Sequence, residues 1–398
     1  MLKKIELKIK TVINKIITVD RKTYPLSQVK NAFYFEKNPK ILLLRHDRIG
    51  DLLTSTSFVR ILKQNNPTAK IDILLSKKNI SAKNCIQKYV NKIWILENNF
   101  IKYLLLLWKL NRKKYDLIID LFDSHSTTSS IIIKFSNPVF ALGIEKSNSK
   151  IYDYTVPMLD RFNSNIVERV CNLLIAFGIE PQKQDLSLEY PVNNDNNFSC
   201  HCGLDSQSPC KYSKDAINGV STKRDCGSKP AMTGMPVNNT KFRIGINLAG
   251  ANEARFWGKE NNEKLLKHLF ERYKNFEIRL FYTSQYSEIA KDFSQMFNEN
   301  SYPNLITGIC NSFDEFANEV SKCNFIISPD TSIVHLASAF KIPSLFLYLF
   351  NPNSTHSPWF PYNSQYKAIT TNSASLQSIS FSEVVRTVDE MLENLISE

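Results

Sequence analysis

The feature that most constrains this chain is the stretch Lys40-Ile41-Leu42-Leu43-Leu44-Arg45-His46-Asp47-Arg48-Ile49-Gly50-Asp51. Ile41 to Leu44 has the length and bounded apolar character of a buried parallel strand. From Leu52 onward, Leu52, Leu53, Phe58, Val59 and Leu62 recur at helical spacing. Strand, glycine-bearing turn and helix together predict the first crossover of a parallel α/β sheet, with Gly50 and Asp51 at its mouth. The free N–H groups of such a helix start point into the crevice beyond the strand ends. Asp51 is therefore either a helix cap or a carboxylate positioned to act as a base. A single glycine preceded by a basic cluster does not make the three-glycine dinucleotide fingerprint.

At 398 residues the chain is long enough for two well-formed cores, and its 43% hydrophobic content is that of a globular protein. A formal net charge of +12 favours an anionic partner, whether nucleotide, phosphorylated glycan, anionic lipid surface or nucleic acid. The longest apolar run, Tyr103 to Trp108, is too short to span a bilayer and is followed by Lys109, Arg112, Lys113 and Lys114. It reads as half of an interfacial amphipathic helix or as a buried helix with a basic end. The N-terminus has no apolar core or cleavage site of a secretion signal, so a cytoplasmic protein able to touch a membrane is expected. Cys85, Cys171, Cys310 and Cys323 sit in apolar contexts and read as small buried hydrophobes.

Residues 1–39 form a basic arm in which Lys3, Lys4, Lys8, Lys10 and Lys15 alternate with aliphatic residues. Residues 40–190 read as a first α/β domain, with strands at 69–75, 92–96, 116–121 and 139–142 and helices at 102–111 and 165–177. The polar turn after the fourth strand makes Asp120, Asp123 and His125 further candidates for the cleft, with anchoring of the turn as the alternative role for Asp120. Residues 191–241 lose apolar periodicity and read as a polar linker or insertion. Its Cys200, Cys202, Cys210 and Cys226 lack a clean zinc spacing, so no metal is expected. A second α/β domain follows at 242–380, and an amphipathic helix at 381–398 closes the chain. Two similar halves then face each other across one cleft.

The second half repeats the logic of the first crossover. Ile326 and Ile327 end a strand, Asp330-Thr331-Ser332 make the turn, and a small-residue helix carrying His335 begins near Val334. Its free N–H groups, beside two hydroxyls, suit a diphosphate, although Asp330 as a cap and His335 as an ordinary helix residue are equally compatible with the pattern. Arg255, before Trp257, can grip phosphate as a fork, and Glu288, one crossover further on, can take the hydroxyls of a ribose. Surface salt bridging is the alternative for both.

These segments resemble the heptosyltransferase family of glycosyltransferases, which build the inner core of lipopolysaccharide from ADP-heptose. The resemblance rests on Ile41–Asp51, Ile244–Gly250, Arg255-Phe256-Trp257 and Asp330–Ala337, and covers about residues 38–360 apart from the insertion. It implies a GT-B fold, that is, two Rossmann-like domains, the first binding acceptor and the second the sugar nucleotide. It also implies an inverting, metal-independent reaction without a cofactor, with Asp51 as general base. It puts Arg255, Asp330, Thr331, His335 and Glu288 at the donor, with Ser332 beside them; Arg48, Gly50, Asp120 and Asp123, read from their places at strand ends, are expected at the acceptor or elsewhere in the cleft. The implied partners are a nucleotide-sugar donor and a phosphorylated or lipid-linked glycan acceptor, with peripheral contact to an anionic membrane at the inner face of the bacterial inner membrane. Ser332 replaces the family's glycine, Arg255 its lysine, and Asp123-Ser124 a histidine-glycine pair. A different nucleotide sugar, an epimerase, and a non-catalytic glycan- or nucleotide-binding protein are the competing readings. The missing glycine fingerprint argues against the epimerase, and the missing aromatic-basic recognition module argues against nucleic acid.

Overall fold

The computed structural model describes residues 23–25, 38–192, 241–248, 250, 252–299, 302, 304–351 and 358–397. Most of the basic arm, the four cysteines of the insertion, and Ala249 and Ala251 of the turn after Leu248 lie outside the described residues.

The first sheet contains β1 (Tyr24–Pro25), β2 (Lys40–Leu44), β3 (Lys70–Ser76), β4 (Lys92–Leu96), β5 (Leu117–Asp120), β6 (Phe140–Ile144) and β7 (Tyr154–Val156). All pairings are parallel, in the order β1-β7-β6-β5-β2-β3-β4. Its helices are α1 (Ile49–Thr54), α2 (Thr56–Asn65), α3 (Phe100–Lys113), α4 (Thr127–Ser136) and α5 (Ile166–Cys171). The second sheet, also all-parallel, contains β8 (Arg243–Asn247), β9 (Glu277–Phe281), β10 (Leu305–Ile306), β11 (Phe325–Pro329), β12 (Ser344–Leu349) and β13 (Tyr366–Thr371) in the order β10-β9-β8-β11-β12-β13. Around it pack α6 (Lys259–Arg272), α7 (Ser287–Glu299), α8 (Phe313–Ser321), α9 (Ile333–Phe340) and α10 (Phe381–Ser397). Central strands such as β2 and β11 are buried on both faces, which is why their sequences are short unbroken apolar runs instead of alternating ones. Among the described residues no helix is long and apolar enough to cross a membrane.

Each sheet changes its winding direction once. The first runs outward through β3 and β4, then resumes at β5 on the other side of β2; the second does the same between β8 and β11. At such a switch point the two flanking crossovers leave in opposite directions, and a crevice opens beyond the carboxyl ends of the strands. The two crevices face each other.

Several elements differ from the sequence expectation. The helix after β2 begins at Ile49 and breaks at Ser55, whose N–H bonds to Leu52 O, before α2 starts. Gly50 is therefore helical and not part of a turn. The helix expected over 165–177 is α-helical only to Cys171 and continues as a 3-10 helix to Phe177, where Gly178 stops it at φ 71°. Strands β1, β7, β10 and β13 were not expected: three of them have two or three residues, and β13 is an edge strand with half of its length exposed.

The halves share one apolar cluster. Leu52, Leu53, Val167 and Tyr190 from the first half join Phe281, Ala317, Ile333 and Phe346 from the second. Polar bonds cross the same junction: Asn84 Nδ2 donates to Asp314 Oδ2 at 2.9 Å, the Tyr190 hydroxyl donates to Asp314 Oδ1, and Asn165 Nδ2 donates to the Phe360 carbonyl at 3.0 Å.

Candidate functional site

A cleft of about 1080 Å³ lies between the two switch points and is lined by residues of both halves. Arg48, Gly50 and Asp51 form its wall on the first half, while Arg255, Asp330, Thr331, Ser332 and His335 form the wall opposite. Eight of the expected site residues thus meet in one cavity.

Asp51 sits in the first turn of α1 because β2 ends at Leu44 and the four-residue connection Arg45–Arg48 turns the chain directly into the helix. Its Oδ2 accepts the Arg48 N–H at 3.1 Å, so the carboxylate does cap the helix start, and it lines the cleft at the same time. The cap and the cleft roles are not exclusive. Below it lies Arg45, which is fully buried. Arg45 Nε donates to the Asp51 carbonyl at 2.8 Å, Nη1 to the Leu121 carbonyl at 2.8 Å, and Nη1 also meets Asp47 Oδ2 at 3.3 Å. One guanidinium therefore ties the end of β2, the turn of α1 and the segment after β5 into a single frame, using the planar multi-donor geometry that lysine lacks. The Asp51 carbonyl also accepts the Thr54 and Ser55 hydroxyls, at 3.0 and 2.8 Å. Removing Arg45's neighbours from water has a consequence for Asp47. Burial, together with the Asp51 carboxylate beside it, pushes its carboxyl up to about 8 against the opposing pull of Arg45.

On the opposite wall, Arg255 ends a single 3-10 turn after β8. Its Nη1 meets Asp330 Oδ2 at 2.9 Å and the Asp330 carbonyl at 3.0 Å. Burial raises the Asp330 carboxyl above its usual range, while Arg255 and Arg48 pull it down. Arg48 therefore reaches electrostatically across the cleft. Asn247, at the end of β8, donates to the Ser328 and Thr331 hydroxyls at 2.9 and 3.2 Å and holds the turn before α9. His335 lies in the first turn of α9, and burial pushes its imidazole down to about 4, so it faces the cleft neutral at pH 7. It packs against Gly50: a Cβ on Gly50 would lie 3.0 Å from His335 Cδ2. A side chain at position 50 would need the His335 ring to give way by a few tenths of an ångström, so glycine eases this close approach between halves.

Three expected residues lie elsewhere. Asp120 is completely buried, accepting from the Tyr152 hydroxyl at 2.5 Å, Lys146 Nζ at 3.1 Å and the Ser129 hydroxyl at 3.2 Å. Every bond it makes is structural, in agreement with the anchoring alternative. Asp123 pairs with Arg169 Nε at 3.1 Å and does not line the cleft. Glu288 is exposed in the first turn of α7 and is likewise absent from the cleft wall, although Tyr282 and Thr283, just before it, are present. His125, exposed, meets the Ser147 hydroxyl at 3.1 Å. Conversely, Arg45, Asn247, Lys78 and Trp359 were not singled out as site residues. For Arg45 a signal existed: an arginine directly after a four-residue aliphatic strand must be buried or reach a partner at once.

The sequence profile of glycosyltransferase family 9 (heptosyltransferase) matches residues 104–384 of this chain. Lipopolysaccharide heptosyltransferase 3 from Escherichia coli is 25% identical over 154 residues, 36% of this chain and 44% of that protein, so the match spans under half the length of that curated relative. Among solved structures, a glycosyl transferase family 9 protein from Veillonella parvula superposes with a TM-score of 0.65 at 15% identity, over 91% of this chain and 99% of that one. E. coli ADP-heptose lps heptosyltransferase II gives 0.60 at 19% identity, over 89% and 99%. E. coli heptosyltransferase WaaC with ADP-2-deoxy-2-fluoro heptose gives 0.61 at 15%, over 88% and 99%. At these identities the likeness is one of fold, and the fold is GT-B: two Rossmann-like domains with a cleft between them.

Proposed function

The chain belongs to glycosyltransferase family 9, and from that premise we propose that it transfers a sugar from a nucleoside diphosphate, heptose from ADP-heptose in the first instance, to a lipopolysaccharide core or related glycan acceptor. The observation that carries this reading is the meeting of Asp51 with Arg255, Asp330 and Thr331 on opposite walls of one cleft.

A sugar hydroxyl is a poor nucleophile until its proton is taken as the new bond forms. Asp51, fixed by the Arg48 N–H and by the Arg45 frame beneath it, takes that proton. As the bond to the leaving diphosphate stretches, positive charge grows at the anomeric carbon and negative charge on the bridging oxygen. Arg255 and the N–H groups at the start of α9 absorb the negative charge. Arg255 is engaged by Asp330, so an incoming diphosphate competes with that carboxylate for the guanidinium, and the raised Asp330 carboxyl lowers the cost of the exchange. Attack from the side of Asp51, away from the leaving group, inverts the anomeric centre. Neutral His335 offers a hydrogen bond at the junction of donor and acceptor without adding charge. The basic wall of the first half, with Arg48 and Lys78, suits a phosphorylated acceptor.

The test is thermal stabilisation of the purified chain by ADP-, UDP-, GDP- and CMP-sugars, beside Asp51→Asn and Arg255→Ala. Selective stabilisation by an ADP-sugar that Arg255→Ala loses and Asp51→Asn keeps is the expected result. If another nucleotide sugar is selected, the heptose assignment falls; if none stabilises, the donor site itself does.

A further inference from the structure

Helix α3 is apolar on both of its faces. Leu106, Leu107 and Leu110 are buried against Leu42, Leu44, Leu74 and Ile118 of the first sheet. On the opposite side, Phe100, Ile101, Leu104, Leu105 and Trp108 remain exposed, Phe100 by 71% and Trp108 by 54%. A helix on the surface of a globular protein normally presents polar residues there, and one that is apolar all round requires a cover on its outer face. The stripe continues onto the neighbouring hairpin of helix and strand: Asn111 Nδ2 donates to the Phe135 carbonyl at 2.9 Å, and both Phe135 and Val139 are exposed.

Charge identifies the cover. Between Asn99 and Tyr115 there is no acidic residue, while Lys102, Lys109, Arg112, Lys113 and Lys114 are exposed beside the stripe. The Arg112 guanidinium carbon lies 4.8 Å from the centre of the Trp108 ring, leaving the indole flanked by positive charge. A protein partner with an apolar face would not call for this one-signed rim. An apolar stripe with an exposed tryptophan and flanking lysines fits the acyl–headgroup boundary of an anionic bilayer. Position agrees with this. Helix α3 links the carboxyl end of β4 to the amino end of β5, so its first turn, with Phe100 and Ile101, lies at the end of the sheet where the cleft opens.

We propose that the outer face of α3, with its lysine and arginine rim, docks the first half of the chain onto an anionic lipid bilayer, with the mouth of the cleft toward the membrane. What the docking serves, access to a lipid-linked acceptor, rests on the glycosyltransferase reading; the docking itself does not.

The experiment is co-sedimentation of the full-length chain with phosphatidylcholine vesicles, with and without phosphatidylglycerol. The unaltered chain is expected to bind the anionic vesicles only. Leu104→Ser with Trp108→Ser, at exposed positions, should weaken that binding about tenfold with an unchanged thermal midpoint. Lys102→Ala with Lys109→Ala should weaken it about fivefold per lysine at low salt. Absence of binding by the unaltered chain, equal binding to neutral vesicles, full binding by the apolar double variant, or a dimer that this variant disperses would each overturn the proposal. Stabilisation by a nucleotide sugar, read on the same variants, should be unchanged, so failure of the transferase reading shows separately.

Discussion

At the scale of single residues, the first wall of the cleft is organised around a buried cation. Arg45 holds the Asp51 main chain through its Nε, and Asp47 shares the same guanidinium. Replacing Asp51 by Asn keeps the shape and the bond from the Arg48 N–H but removes the proton acceptor. Turnover is expected to fall about 10²–10⁴-fold with donor affinity retained, as measured by single-turnover kinetics beside donor titration. Asp47 offers a test by pH. Its carboxyl binds a proton more tightly in the folded chain, at about 8, than the ordinary value of 3.8. The stability it contributes is full below that ordinary value and is lost as pH rises toward 8. Asp47→Asn, which stays neutral, should therefore gain in thermal midpoint over the unaltered chain as pH is raised from about 4 to about 8. A constant difference across that range would refute the assignment. The position of Asp51 at a strand end was readable from the order of residue types. The shared guanidinium was not, because it depends on Leu121, brought in by a strand far along the chain.

At the scale of elements, strands with unbroken apolar runs were legible and the shortest or most exposed edges were not. An unbroken apolar run reports burial on both faces, so β2, β5 and β12 stand close to where periodicity put them, as does the edge strand β4, while the two-residue β10 and the exposed β13 carry no such signature. Glycine at position 50 was read as a turn residue, yet it serves helix-on-helix contact, which only the assembled pair of halves reveals. Gly50→Ala should raise helix propensity by about 0.5–1 kcal/mol, but its Cβ would stand 3.0 Å from His335 Cδ2. We expect no gain in thermal midpoint and a few-fold rise in donor KM as the halves are pushed apart. Adding His335→Ala should recover the stability gain, a coupling of about 0.5–3 kcal/mol in a double-mutant cycle. Additive effects would mean that the two helices do not press on each other in solution.

At the scale of the whole molecule, the opposed switch points make the cleft, and the shared apolar cluster sets how far it opens. Asp314 links the halves through Asn84 and Tyr190. Asp314→Ala removes both bonds from an exposed carboxylate, at about 0.5–1.5 kcal/mol. Small-angle scattering should show a larger radius of gyration without ligand, and a smaller shift in thermal midpoint on adding donor. The two-halves-and-cleft plan was visible in the repeated strand–turn–helix pattern. The adhesion between halves was not, since Val167 and Tyr190 on one side and Ile333 and Phe346 on the other read simply as core residues of their own sheets. That adhesion limits how such a chain can change over generations. In a protein whose halves met only through a flexible hinge, recombination could pair one acceptor half with many donor halves. Here a foreign half would bring side chains never fitted to Leu52, Val167 and Tyr190, so most chimaeras joined between 193 and 240 should fail to fold. New specificities would then be reached by substitution along the cleft wall, and seldom by exchange of whole domains.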